Sequence, residues 1–468
     1  MFPLKAKLMP KRVISSESFD FLMDSAFVSA GGSLPSLAEL GWCPCRSYIR
    51  LLLGKHCSTA AGSSFTKVKT FYHDLFWSIR FVLPILIFME FFIDFGDWLM
   101  HDENLTGLSS RHVRGEQSYI ITVFAYLRSQ FTCFVALNST LIFIKRAPKF
   151  VRCMDALVEL RRAVVDAKYR SATRSTFRLK CAYAAIGYVC LCSLLRLIYY
   201  LYSTYEDRAS FWNPTKYFLF MLPEGVVMLM IQITVIISEL SLIPLYFFFV
   251  AVCTVYTQCC KAYNIHLHEI IQTKIVNYPS KGETFDFDAT FQELMKKEIL
   301  FIDVLKELDR AFSIFLASLL LGNSAMLASV IAQGFMRAVF ATPLDAALFL
   351  GSLSNPIISL LTLITFATIL HETSLESKSL WTSLVANRQF CRGKKFDSEE
   401  GEKLLTILHI TESRPHSLSV IRTVNMERGF GITLVMGFFG FVCFLIERSE
   451  NFKAQVDLVM GALNATMS

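Results

Sequence analysis

Apolar runs of about 20 residues recur along the chain, at 75–93, 118–144, 178–202, 217–257, 310–334, 345–370 and 429–446. Each is long enough to cross the roughly 30 Å of a bilayer's hydrocarbon. The fourth is the longest. No Lys or Arg occurs between Lys216 and Lys261, which leaves room for two thin spans or one long helix, and Pro223 and Pro244 are the candidate breaks. Between the runs the pattern changes. The stretch FQELMKKEILFIDVLKELD at 291–309 alternates charged and apolar positions at helical spacing and predicts a helix continuous with the fifth span. Residues 373–388 extend the sixth span in the same way, and 404–426 lead as a helix into the seventh. The fourth run continues past 257 through Cys260 and His266. Four helices are thus expected to project beyond the membrane with apolar stripes that need partners. Those partners lie either in the same chain or in other chains of an assembly domain, and periodicity fits both.

Composition agrees with a membrane location: 53% of the 468 residues are hydrophobic and 18% charged, against about 25% charged in soluble domains. The expected fold is all-α, with seven transmembrane helices. Charge fixes its orientation. The segments 1–73, 145–180, 259–310 and 372–429 hold 36 Lys and Arg, whereas 95–117, 203–216, 335–344 and 448–468 hold 7. The basic side is cytoplasmic, so the N-terminus is inside and the C-terminus outside. An eighth span would move the nine basic residues of 372–429 outside and is rejected. Two sequons, at Asn104 and Asn464, fall on the outer side and are candidate glycosylation sites. A third, at Asn138, lies inside a span. None of the 13 cysteines falls in an outer segment, so structural disulfides are not expected.

The predicted organisation has a partly disordered cytoplasmic segment at 1–73, which includes the flexible SAGGSLPS at 29–36. Transmembrane helices one to four occupy 74–258, and inner anchor helices 259–309. Helices five and six follow at 310–371, inner helices at 372–428, the last span at 429–447 and an extracellular tail at 448–468. No early apolar stretch ends in a cleavage site, so the first span is expected to insert the chain. There is no P-loop, G-x-S-x-G, H-E-x-x-H or acidic array, so neither an enzyme nor a cofactor is expected. No nucleic-acid partner is expected either. Cys43-Pro-Cys45 and Cys259-Cys260 lack His or Cys partners at zinc-finger spacing, so no metal site is assigned.

Charged residues inside spans are costly and point to function by default. Arg80, Glu90, Arg128, Arg196, Glu224 and Glu239 are the instances. In the predicted topology Arg128, Arg196 and Glu224 share the outer half with Tyr119, Tyr126, Tyr199 and Tyr200. Gln232, Asn323, Ser324 and Gln333 lie in the same layer. A mostly apolar layer with a few convergent polar groups suits a small-molecule pocket. The charges alternatively pair internally, as Arg196 would with Glu224, and hold the bundle together.

The last span, GFGITLVMGFFGFVCFLI, carries Gly431, Gly437 and Gly440 and stops at Glu447. The glycines serve either close helix packing or a bend. Gly440, Cys443, Phe444 and Glu447 share a face at helical spacing. Glu447 is either the helix end, paired with Arg448 or Lys453, or a charge aimed at a pathway.

Seven spans with an inside N-terminus, long inner helices and this last span resemble the arthropod gustatory and odorant receptors, the gustatory branch above all. That branch's last span carries Thr-Tyr, five mostly apolar residues, then Gln. The corresponding positions here are Gly440-Phe441, 442–446 and Glu447, with Phe keeping the ring of Tyr, while Gly for Thr and Glu for Gln are departures. Arg448 replaces the aromatic residue that usually follows. The stretches at 409–430 and 370–384 look like the family's inner helices before the last span and after the sixth. The resemblance implies a divergent member: a tetrameric, ligand-gated, non-selective cation channel of the plasma membrane, either homomeric or built with related receptors. Its ligand would be a small-molecule tastant bound in the outer half of each subunit. The last helices would line the pore, so that Phe444 forms an apolar constriction and Glu447 an acidic ring at the outer mouth.

Two other classes fit the sequence less well. NPIIS at 355–359 is similar to the seventh-span motif of G-protein-coupled receptors, but it lies in span six, lacks the Tyr, and is joined by no Asp-Arg-Tyr after span three. A transporter would be expected to carry internal repeats, and the sequence has none.

Overall fold

The computed structural model describes residues 128–164, 224–270, 287–336, 343–390 and 417–448, with scattered positions at 184–198 and at Thr406 and His409. Six helices occur among the described residues: α1 (Arg128–Lys145), α2 (Ala147–Val164), α3 (Glu224–Ile270), α4 (Phe287–Met336), α5 (Pro343–Phe390) and α6 (Arg428–Arg448). Asn104 and Asn464, and the segments 1–73 and 449–468, lie outside them.

The three longest helices set the scale. α3, α4 and α5 have 47, 50 and 48 residues, or about 70–75 Å at 1.5 Å per residue. Hydrocarbon takes up about 20 residues, so more than half of each rod lies beyond it. The stretches Ile233–Ile270, Gln292–Ala332 and Phe349–Ser383 are long and apolar enough to cross a membrane. From Glu224 onward the long fourth apolar run is one helix, not two. Pro244 sits inside α3, and Pro356 inside α5, without ending it. A proline here removes one hydrogen bond to the carbonyl four residues back, and the packed neighbours keep the rod continuous.

α4 is the central element and packs against α1, α2 and α5, while α3 packs against α5, α1 and α2. α1 and α2 meet at Arg146 in a short turn, and Pro148 occupies the first turn of α2, where its missing N–H costs nothing. α2 is amphipathic and buries Phe150, Met154, Leu157 and Leu160. At this corner Phe143, Phe150, Phe248, Phe312 and Phe315 form one aromatic cluster with ring centroids 4.6–6.0 Å apart. All five are fully buried.

Further along, the polar-patterned ends of α3 and α5 meet. The Asn264 amide donates to the Thr373 carbonyl (3.3 Å) and to Glu376 Oε2 (3.1 Å), and Ser377 Oγ donates to Asn264 Oδ1 at 2.6 Å. Tyr263 and Phe301 pack at 5.1 Å, and Trp381 is buried. These apolar stripes therefore find partners within one chain.

α1 and α4 cross closely at Gly322, where an added Cβ would lie 2.1 Å from Val135 Cγ2. One turn to either side, Thr132 Oγ1 meets Met326 Sδ (3.2 Å), and Asn138 and Ser139 meet Ser318 Oγ (3.0 and 3.1 Å). The Asn138 sequon thus lies within a packed helix face.

The expected helix of 404–426 needs a correction, as does the end of the inner-helix segment 372–428. Residues 417–427 form a β-hairpin, in which β1 (Ser419–Val420) pairs antiparallel with β2 (Val424–Asn425). Val420, Ile421, Thr423 and Val424 are β-branched and favour extended backbone, and Ser417 and Ser419 compete for backbone hydrogen bonds. The turn is closed by the Thr423 N–H to the Val420 carbonyl at 3.1 Å. Its centre is left-handed, with φ of 53° at Ile421 and 59° at Arg422. Leu418 and Met426 are buried beneath it, and Met426 N–H donates to Leu418 O at 2.8 Å.

Candidate ligand cavity and last helix

Three rods frame a cleft. α3 contributes Glu239, Leu242, Ile243 and Tyr246, which fall at i, i+3, i+4 and i+7 and so share one stripe. α5 contributes Asn355, Ile358, Ser359 and Thr362 at the same spacing, and α4 adds Asn323 and Met326. The closed cavity is about 20 Å³, enough for a water molecule. A larger guest requires the rods to part.

The cleft's polar groups are linked. Asn323 is buried, and its amide donates 2.6 Å bonds to the Tyr246 hydroxyl and the Leu319 carbonyl. Ser359 of α5 lines the cleft beside the Tyr246 hydroxyl. Glu239 is 8% exposed. Beside it, Ser238 Oγ contacts Cys133 Sγ of α1 at 3.7 Å. The cleft therefore offers hydroxyl, amide and carboxylate groups set in an apolar wall.

Of the residues chosen from the sequence, Asn323 lines this cleft, and Ser324 is half-buried beside it on α4. Arg128 and Glu224 are the first residues of α1 and α3. Gln232 lies in α3 and Gln333 near the end of α4, and these four side chains lie outside the described residues. So do Tyr119, Tyr126, Arg196, Tyr199 and Tyr200 altogether. Tyr246, Asn355, Ser359 and Thr362 were not selected. Their signal was present as polar positions at i, i+4 and i+7 (355, 359, 362) on an otherwise apolar helix. NPIIS was compared instead with the seventh-span motif of G-protein-coupled receptors, and that likeness was set aside.

α6 is the second candidate region. One stripe is packed: Phe430, Leu434 and Phe438 rest on the core, and a Cβ on Gly431 would lie 3.1 Å from Ile364. The opposite stripe is open. Ile432, Val435, Met436 and Phe439 are 61–66% exposed. An added Cβ at Gly437 or Gly440 would meet nothing within 4 Å. Cys443 and Phe444 continue this exposed face. Sequence spacing puts position 447 on the same stripe, since 432, 436, 440, 443 and 447 follow one another by three or four residues. The side chain of Glu447 is not among those described.

Long, continuous helical rods of membrane-spanning length around a shared core, followed by a hairpin and a thinly packed last helix, define a multi-pass helical membrane architecture. No protein-family model matches the chain, and no curated protein matches it in sequence. Solved structures do match. The insect olfactory receptor OR5 of Machilis hrabei in complex with eugenol aligns over 88% of this chain and 100% of its own, with a TM-score of 0.61 and 12% identity. The same receptor, in a structure described without that ligand, aligns over 88% and 99% with a TM-score of 0.60 and 11% identity. The chain has the fold of these insect-type chemoreceptors, which upholds at the level of fold the resemblance read from its sequence.

Proposed function

We propose that this protein is a chemosensory receptor of the gustatory type, acting as a ligand-gated, non-selective cation channel in the plasma membrane. The reading takes seven spans, an inside N-terminus and glycans at Asn104 and Asn464. Four subunits, identical or mixed with related receptors, surround a central pathway lined by α6. Gly440, Cys443, Phe444 and Glu447 line it, with the ring at Phe444 as constriction and Glu447 at the outer mouth. A small organic tastant enters the cleft between α3, α4 and α5, engages Asn323, Tyr246 and Ser359, and parts the rods. The other polar residues of the outer layer named from the sequence join in ligand binding: Tyr119, Tyr126, Arg128, Arg196, Tyr199, Tyr200, Glu224, Gln232, Ser324 and Gln333.

One observation carries the reading. In a fold shared with an insect olfactory receptor captured with eugenol, the last apolar helix leaves open a stripe bearing two glycines with nothing within 4 Å. Small residues on an apolar helix suit close approach of equivalent helices.

The test is a whole-cell recording from cells expressing the chain, with surface delivery verified and a broad tastant panel that includes eugenol. A ligand-evoked cation current that persists when G-protein signalling is blocked supports the channel. Silence across the panel, with the protein at the surface and candidate co-receptors supplied, rejects it.

A further inference from the structure

The hairpin is fastened to one short stretch of α4. Ser419 donates twice to Asp309 Oδ1, from its N–H at 2.7 Å and its Oγ at 2.6 Å. Arg422 N–H donates to Ser313 Oγ at 2.8 Å, and Ile421 N–H to the Ser313 carbonyl at 3.4 Å. Asp309 and Ser313 are one turn apart on the same face. Between them, Arg146 Nη1 donates to the Arg310 carbonyl at 2.7 Å, which ties the α1–α2 corner to the same turn. The hairpin and the α1–α2 corner thus converge within five residues of α4.

The turn they hold is strained. Ile421 and Arg422 both have left-handed φ, a conformation that L-residues, and β-branched ones above all, disfavour. Such backbone persists only where its surroundings over-determine it, and it collects at switches. Like charge adds to this: burial, and then the nearby Arg422, hold the Arg146 guanidinium below its usual pKa. Beyond the turn there is little slack. β2 ends at Asn425, Met426 is buried, and α6 begins at Arg428. In the other direction, α4 runs unbroken from Ser313 to Asn323 and Met326 in the cleft, about 15–20 Å along a single rod.

We propose that the hairpin at 417–427 is a strained latch that couples the ligand cleft to the last helix, with Asp309 and Ser313 as the positioning residues that fasten it. A shift of α4 at the cleft moves the Asp309–Ser313 turn, and the latch carries that shift into the start of α6. With the latch unfastened, the left-handed turn relaxes and α6 no longer follows α4. The proposal rests on the channel reading above and adds how its site is connected to its pore.

The experiment compares agonist dose-response curves for the wild type, Asp309→Ala and Ser313→Ala, using eugenol or else the strongest agonist of the panel. The latch predicts that half-maximal concentration rises by roughly fivefold or more, the scale of ordinary coupling between sites, with single-channel conductance unchanged. A second variant pairs Asp309→Cys with Ser419→Cys. In excised patches an oxidant should restore near-wild-type sensitivity by bridging the two, and a reductant should remove it. A merely structural role would lower current in proportion to surface protein and leave half-maximal concentration in place. That result, or a cysteine pair indifferent to oxidant, overturns the latch while the channel stands. A wild type with no current overturns the channel reading, and the latch with it.

Discussion

Replacing Gly322 by alanine tests the packing of the bundle. The new Cβ would sit 2.1, 2.7 and 2.9 Å from Val135 Cγ2, Cγ1 and Cβ. Rotating the valine could move its methyls, but its Cβ is carried by the backbone and stays. Carbon atoms rest at about 3.5–4.0 Å, so α1 and α4 must part by roughly 1 Å. Val135 is 2% exposed and has no solvent to retreat into. Overpacking of this kind costs about 1–3 kcal/mol. The same displacement stretches the contacts of Thr132, Asn138 and Ser139 one turn away, each worth about 0.6 kcal/mol in a membrane protein. The total expected loss is roughly 2–4 kcal/mol. Thermal unfolding in detergent, followed with a thiol-reactive dye that reports the buried cysteines, should give a Tm several degrees lower. Adding Val135→Ala should recover part of it, because the methyls go while the Cβ at 2.9 Å remains. Gly437→Ala is the control, since a Cβ there meets nothing within 4 Å. Equal Tm values for Gly322→Ala and Gly437→Ala would refute the close α1–α4 crossing.

Five further outcomes are expected. Phe312→Ala, which removes a ring packed against Phe150 at 4.9 Å and Phe249 at 5.5 Å, should cost about 3–5 kcal/mol and be seen as a collapse of detergent-stable protein. A charged thiosulfonate applied from the outside should modify exposed Cys443 and block current. Cys153, buried and with its thiol pushed up by that burial and then by Glu307, should stay unmodified in mass spectra of the folded protein. Glu447→Gln should lower divalent permeation measured from reversal potentials, and an unchanged permeability ratio would remove position 447 from the pathway. Asn323→Ala should raise the half-maximal agonist concentration without altering conductance, because it leaves the Tyr246 hydroxyl without its 2.6 Å partner; an unmoved dose-response curve would take the cleft out of ligand binding.

The long rods were legible because they follow from local pattern. The Lys- and Arg-free run before Lys261 and the charge alternation of 291–309 each belong to one continuous helix, and periodicity reads such helices directly. The hairpin was not legible. Its turn holds no glycine at Ile421 or Arg422, so no turn signal marks it. Its left-handed backbone is held by Asp309 and Ser313, more than 100 residues away in sequence. The cleft was half legible. Asn323 was read as a polar group in an apolar layer, whereas the Tyr246 and Ser359 that join it come from two other rods. A single sequence gives no sign of which helical faces meet. The open stripe of α6 was foreshadowed by Gly437 and Gly440, which the sequence alone left divided between packing and bend.

The central claim is that this chain, alone or assembled with related receptors, forms a ligand-gated cation pathway that needs no G protein. Purified protein reconstituted into planar bilayers tests it most directly, because no G protein or host channel is present. The account predicts discrete cation-selective openings evoked by the agonist and blocked by modification of Cys443. Bilayers that stay silent with the agonist, both with this protein alone and with candidate co-receptors, although the inserted protein is folded and assembled, would contradict it.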